Sequence, residues 1–250
     1  MLDATRARDW VARWDRQQER YLADREERFT VIGDVVTAAL ADRPAPRILD
    51  VGCGPGSLAA RLARRLPAAE IVGVDADPVL LALAEAAHPA AARFAHADLR
   101  AADWPAQAGL AGPLDAALST TALHWLSESD LGALYRRLGA LVRPGGVLVN
   151  ADHLYDDQPG VRALARLVRK ARAARAGVEE NEDWAAWWAA VEAAPELAGP
   201  VAQRRARGYA HSDEADLSTA THARLLRAAG FAEVGVVWRS GDDTVLVALR

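Results

Sequence analysis

The segment Ile48-Leu49-Asp50-Val51-Gly52-Cys53-Gly54-Pro55-Gly56 constrains this chain more than any other. An apolar run ends at a carboxylate, glycines follow, and a helical pattern starts near Ser57. Glycines let the backbone turn sharply and let a ligand touch the main chain. The start of a helix presents free N–H groups. A strand–loop–helix unit of this kind suits a nucleotide-like ligand at the carboxyl end of a parallel sheet.

Two ligand classes compete for the loop. The dinucleotide fingerprint requires a third glycine where Ser57 stands. Asp50 would repel a pyrophosphate but suits a cationic amino group, directly or through water. That charge logic favours S-adenosylmethionine, which carries an ammonium and no phosphate, over NAD. Asp75 follows the apolar stretch Ile71 to Val74, where an acid can accept both ribose hydroxyls. NAD enzymes share that feature. Asp98 can accept a hydrogen bond from an adenine amino group. Ser119-Thr120-Thr121 ends a later strand, beside the ligand if the fourth strand neighbours the first.

Around the loop, strands alternate with helices. Strands are expected at 47–51, 71–74, 92–95, 114–118 and 147–151. Helices are expected at 58–66, 77–87 and from Ser127 or Ser129 to 141. This alternation implies βαβ units and a parallel sheet. Residues 6–42 read as helical, with a charge-dense stretch at 24–28. Residues 158–201 break the rhythm as a helical insertion. Val161, Leu164, Ala165 and Val168 form one stripe there, and Trp184, Trp187, Trp188 and Val191 another. A helix at 219–229 closes on Gly230, and two strands at 234–238 and 245–249 form an antiparallel hairpin. The chain thus divides into a helical cap (1–44), a core (45–157), an insertion or lid (158–213) and a helix with a hairpin (214–250), all in one domain.

Composition narrows the function classes. Hydrophobic residues make up 51% of 250, enough for a substantial core. A net charge of −4 argues against a nucleic-acid surface. One cysteine excludes an intrachain disulfide and fits a reducing cytoplasm. No apolar run approaches the roughly 20 residues of a membrane span. The charged stretch 1–13 is unlike a signal peptide. A cytoplasmic location is the expectation.

Five motifs in order carry a resemblance: LDVGCGPG (49–56), VGVDADP (72–78), ADL (97–99), LDAALSTTALHWL (114–126) and LVRPGGVLVN (141–150). Over roughly 47–151 the chain resembles the class I S-adenosylmethionine-dependent methyltransferases. The HWL triplet and YLADREER (21–28) are most similar to the branch containing trans-aconitate methyltransferase. The resemblance implies an α/β fold: a Rossmann-like, seven-stranded, mostly parallel sheet with helices on both faces. An N-terminal helical segment and a helical insertion after strand five complete it. The implied cofactor is S-adenosylmethionine, and the implied partner is a small-molecule methyl acceptor, with O-methylation favoured. Gly52, Cys53, Gly54 and Gly56 would line the methionine end, with Asp50 near the amino group. Asp75 would bind the ribose, Ala76 would pack on the adenine, and Asp98 and Leu99 would hold its edge. Ser119 would offer a carbonyl to the ammonium, with Thr120 beside it. Tyr21 and Arg28 would cover the carboxylate end.

Two histidines are candidates for acid–base work. His124 lies just beyond the fourth strand and His153 just beyond the fifth. A neutral imidazole near pH 7 suits taking a proton from a hydroxyl. Packing or cofactor contact is the competing role for His124. His211 and His222 read as surface or structural. The tryptophans at 184, 187 and 188 read as a docking stripe in preference to a pocket cap. Arg25 and Arg28 suit either a substrate carboxylate or neighbouring acids on an exposed helix. Acceptor choice should reside in 6–30, 158–201 and 203–220, the first two forming a lid. A homodimer contact through the Trp-rich insertion is the alternative to a lid. Competing functions are a non-methylating enzyme with the same cofactor, a non-catalytic cofactor-binding module, and an NAD-dependent oxidoreductase, the last disfavoured by Ser57.

Overall fold

The computed structural model describes residues 2–208 and 217–250. Helix α1 (Ala4–Glu19) starts where the Asp3 carboxylate accepts the Thr5 and Arg6 N–H groups. Helix α2 (Arg25–Ala39) follows. The helical region expected over 6–42 is thus two helices, and Asp24 at the break has φ 63°. The charge-dense stretch marks that corner.

The core then runs β1 (Arg47–Val51), α3 (Ser57–Arg65), β2 (Glu70–Asp75), α4 (Pro78–Ala87) and β3 (Arg93–His96). A short helix, α5 (Trp104–Gln107), precedes β4 (Leu114–Thr120), α6 (Glu128–Leu141) and β5 (Val142–His153). Ser127 is the cap of α6, its hydroxyl accepting the Asp130 N–H. Helix α5 was not anticipated, and β5 starts at Val142, five residues before the expected 147. The insertion contributes α7 (Pro159–Ala176), α8 (Trp184–Ala193) and α9 (Ala198–Ala206). The chain closes with α10 (Thr219–Ala228), β6 (Glu233–Ser240) and β7 (Asp243–Leu249).

The seven strands lie in the order β3-β2-β1-β4-β5-β7-β6. Strands β1 to β5 pair in parallel, and β7 runs antiparallel to both neighbours. Alternate residues feed two cores on opposite faces. Leu49 and Val51 pack with α6 and α10 residues such as Leu134 and Leu226. Ile48 packs with Ile32 of α2 and Leu62 of α3. With β4 beside β1 on one side and β2 on the other, the chain reverses direction at β1. Such a switch point opens a crevice at the carboxyl ends of the strands.

A third cluster docks the insertion. Trp187 is fully buried, its ring 4.9 Å from that of Trp14 and 5.9 Å from that of Trp10. Trp188 and Val191 join it against α4 and α9. Edge-to-face tryptophans combine large apolar burial with favourable ring electrostatics. His222 is buried, its Nδ1 2.8 Å from the Tyr135 hydroxyl, which makes it structural. His211 lies outside the described residues. Among the described residues no helix is long and apolar enough to cross a membrane.

Candidate active site

The crevice is one cavity of about 1130 Å³, large enough for a nucleoside-sized ligand and a second small molecule. Its floor is the glycine loop. Gly52 has φ 69°, and a Cβ there would lie 2.4 Å from the Ala122 Cβ. Gly54 has φ 53°, and a Cβ there would meet nothing within 4 Å, so its backbone faces open space. Cys53 also lines the floor, buried as a thiol whose pKa burial and nearby carboxylates push well up.

Asp75 is fixed by the turn it helps to build. One oxygen accepts the Gly54 N–H at 2.8 Å and the other the Asp77 N–H at 2.9 Å. Each oxygen keeps further acceptor capacity. Burial raises its pKa to about 6. Ala76 and Leu99 line the adjoining wall. Asp98 stands there too, held by Arg100 through contacts of 2.8 to 3.2 Å. That hydrogen bonding lowers its pKa.

Asp50 does not line the cavity. It is 1% exposed beneath the loop, where the Ala59 backbone N–H of α3 is its donor. Burial, then the charge of Asp75, raises its pKa to about 7. Gly56 also sits behind the lining, against the Phe94 ring. Ser119 is buried, its hydroxyl donating to the Val51 carbonyl at 2.8 Å and tying β4 to β1.

The expectation for Arg28 is corrected. Its guanidinium is fully buried, with Nε 2.8 Å from Asp243 and Nη1 donating to the Ala151 carbonyl at 3.0 Å. It clamps α2 to the ends of β5 and β7 instead of facing the cavity. Arg25 does line the cavity, but it is buried and ion-paired with Asp15, not set on an exposed helix. Asp15 also accepts the Ser57 hydroxyl at 2.6 Å, so α1, α2 and the start of α3 meet there. Tyr21 lines the mouth, and its hydroxyl accepts the Trp184 N–H at 3.1 Å. Thr120 and Thr121 lie at the end of β4, and Thr121 has φ 53°. A left-handed backbone at a β-branched residue costs about 1–3 kcal/mol and clusters at functional sites.

Both candidate histidines line the same cavity. His124 Nδ1 is 2.9 Å from each oxygen of Asp152. Asp152 is 1% exposed. Burial opposes its charge, but His124, Arg28 and His153 outweigh burial and hold its pKa below the ordinary carboxylate range. An ionised aspartate at Nδ1 fixes the Nδ1–H tautomer and leaves Nε2 as the base. His153 Nδ1 lies 3.5 Å from Asp242, in the turn between β6 and β7.

Helix α7 closes the far wall. Val161, Leu164 and Val168 are 45%, 64% and 48% exposed. The α7 residues that line the cavity are mixed: Arg162, Arg166, Arg169 and Lys170 stand beside Ala163, Leu167 and Ala173. The stripe lies partly against the β6–β7 turn, where Val168 and the Ala165 carbonyl approach Gly241. The four cations suit a polar or anionic occupant. Periodicity gives the stripe but not its direction. Sequence reasoning missed Asp152 as the partner of His124, and Asp242. The neighbour Asp152-His153 was the available signal for the first.

Comparison with known proteins gives a consistent picture. Residues 48–146 match the family model described as a methyltransferase domain. An uncharacterized methyltransferase of Mycobacterium tuberculosis is 43% identical over 115 residues, 46% of this chain and 54% of that protein. A trans-aconitate 2-methyltransferase of Azoarcus is 35% identical over 151 residues, 60% of this chain and 55% of that protein. The chain thus spans about half the length of these relatives. Among solved structures, human N-acetylserotonin methyltransferase aligns with TM-score 0.55 at 16% identity, covering 95% of this chain and 56% of that one. An O-methyltransferase family protein of Burkholderia thailandensis aligns with TM-score 0.59 at 21% identity, covering 94% and 62%. At these identities the structures share the fold.

Proposed function

Taking the methyltransferase-domain match over 48–146 as premise, we propose that this protein is an S-adenosylmethionine-dependent O-methyltransferase acting on a small anionic molecule. The observation that carries the reading is one cavity holding both Asp75 with the open Gly54 backbone and the Asp152-backed His124. The residues fit the cofactor. Asp75 has acceptor capacity for two hydroxyls, and Asp50 is a carboxylate buried beneath the loop.

When bound, the cofactor supplies a sulfonium methyl, already poised for transfer, so the protein contributes alignment, desolvation and a base. Asp75 holds the ribose. The Gly52–Gly54 backbone supports the methionine end, and Ala76 and Leu99 flank the base. His124 Nε2 takes the proton from an acceptor hydroxyl, and Asp152 stabilises the imidazolium that results. The inward cations of α7 attract the acceptor's negative charge. The helices α1, α7 and α8 exclude water as a lid.

A second reading has a carboxylate oxygen as the acceptor atom. It is favoured by the relatives named trans-aconitate 2-methyltransferase. A carboxylate is already a nucleophile and needs no base. Methyl transfer should therefore be assayed with hydroxy acids and with trans-aconitate, using wild type and His124→Asn. For a hydroxyl acceptor, kcat should fall by about 10²–10⁴-fold with cofactor affinity unchanged. An unchanged kcat would transfer the reading to the carboxylate acceptor. No turnover of any acid by wild type would reject the anionic acceptor.

A further inference from the structure

The two cavity histidines are backed differently. His124 is closed onto Asp152, both oxygens 2.9 Å from its Nδ1. His153 Nδ1 stays 3.5 Å from Asp242 Oδ1, and Asp242 Oδ2 lies 3.4 Å from Nη1 of Arg169. At 3.5 Å the His153–Asp242 hydrogen bond is at the outer limit of such contacts. Tight hairpin turns are ordinarily exposed, yet Asp242 is 1% exposed. It is buried because α7 lies on the turn: a Cβ on Gly241 would sit 2.8 Å from the Ala165 carbonyl oxygen. The lid helix, the turn and the end of β5 therefore meet at one carboxylate.

The charges packed on this corner lean positive towards the cavity. Asp242 lies between His153 and Arg169. Arg28 is paired with Asp243, and Arg172 lies between Asp24 and Asp243. Asp152 lies against His124 and accepts the His153 backbone N–H. Lys170, Arg162 and Arg166 of α7 line the same cavity, so an anion entering here meets cations.

We propose that His153, positioned by Asp242 and Arg169, is the acceptor-recognition residue: its imidazolium Nε2–H donates to a carboxylate of the acceptor, while His124 serves the reacting oxygen. This rests on the methyl-transfer reading of the same cavity and divides its two histidines by task. The division follows from the backing. A rigid, doubly contacted ring suits a base that must hold one tautomer. A loosely held ring beside an arginine suits anion capture. Because Asp242 also faces Arg169 of α7, an acceptor carboxylate at His153 would draw the lid helix and the β6–β7 turn together.

The test is calorimetric titration of the full chain, loaded with S-adenosylhomocysteine, with trans-aconitate, malate and benzoate as carboxylate probes. Wild type and His153→Gln are compared, and S-adenosylmethionine affinity is measured on both as the control for folding. The proposal expects His153→Gln to weaken the best probe at least tenfold at pH 6.5, with S-adenosylmethionine affinity kept within twofold. Equal probe affinity in both proteins, or no binding of any probe by a wild type that binds S-adenosylmethionine, overturns the proposal and leaves methyl transfer standing. Failure of wild type to bind S-adenosylmethionine overturns the methyl-transfer reading itself, and this proposal with it.

Discussion

The floor of the cavity and its lid wall differ in both charge and construction. Around β1, β2 and the glycine loop, the groups are carboxylates and main-chain amides: Asp50, Asp75 and the Gly54 N–H. Across the space, α7 and the ends of β4 and β5 present arginines, Lys170 and two imidazoles. The floor is made by short local segments, each strand delivering its acid at its own carboxyl end. The lid wall is assembled across long separations in sequence, as in His124 with Asp152 and His153 with Asp242. In the proposed reading, the acidic floor meets a cationic, hydroxyl-rich cofactor and the basic wall meets an anionic acceptor.

Removing the floor's central acid is the strongest way to break this comparison. Asp75→Ala should weaken S-adenosylmethionine binding at least about 100-fold, since hydrogen bonds to a charged group contribute about 1.5–3 kcal/mol each. Wild-type affinity should also fall as pH drops through about 6, where Asp75 takes a proton and loses acceptor capacity. The variant should show no such step. Near-normal binding by Asp75→Ala would remove the floor from the cofactor's site.

A smaller effect concerns Asp50. Unfolded, an aspartate ionises near its ordinary value of 3.8; folded, Asp50 does so near 7. Between those values the folded state holds the extra proton, so stability falls as pH rises through the window, and the penalty is complete above 7. Asp50→Asn should therefore stabilise the ligand-free protein by roughly 1–4 kcal/mol at pH 8, as chemical denaturation can read. The gain should shrink towards pH 4. A destabilised variant at pH 8 would mean that the Asp50 charge has a partner, and the floor would no longer be an unpaired acidic site.

The same contrast explains what could be read from sequence. The floor was legible because its signals are local. Glycines must sit where the backbone turns, and Asp75 must stand at a strand end, and Gly52, Gly54, Asp75 and Ala76 all line the cavity. The alternation of strands and helices gave the sheet, and Trp187 and Trp188 dock the insertion as their spacing suggested. The wall was only partly legible. Arg28 reads as a ligand residue beside Tyr21, but its partner Asp243 lies far along the chain. Ser119 and Asp50 stand at their strand ends with side chains buried behind the lining. The stripe on α7 was visible, whereas its packing on the β6–β7 turn joins segments far apart in sequence.

The central claim is that this cavity binds S-adenosylmethionine and not a dinucleotide. Isothermal titration of the purified chain with S-adenosylmethionine, and separately with NAD, tests it most directly. The account predicts binding of S-adenosylmethionine with a dissociation constant in the micromolar range, about −8 kcal/mol, and no heat with NAD. Binding of NAD, or of neither ligand, would contradict it.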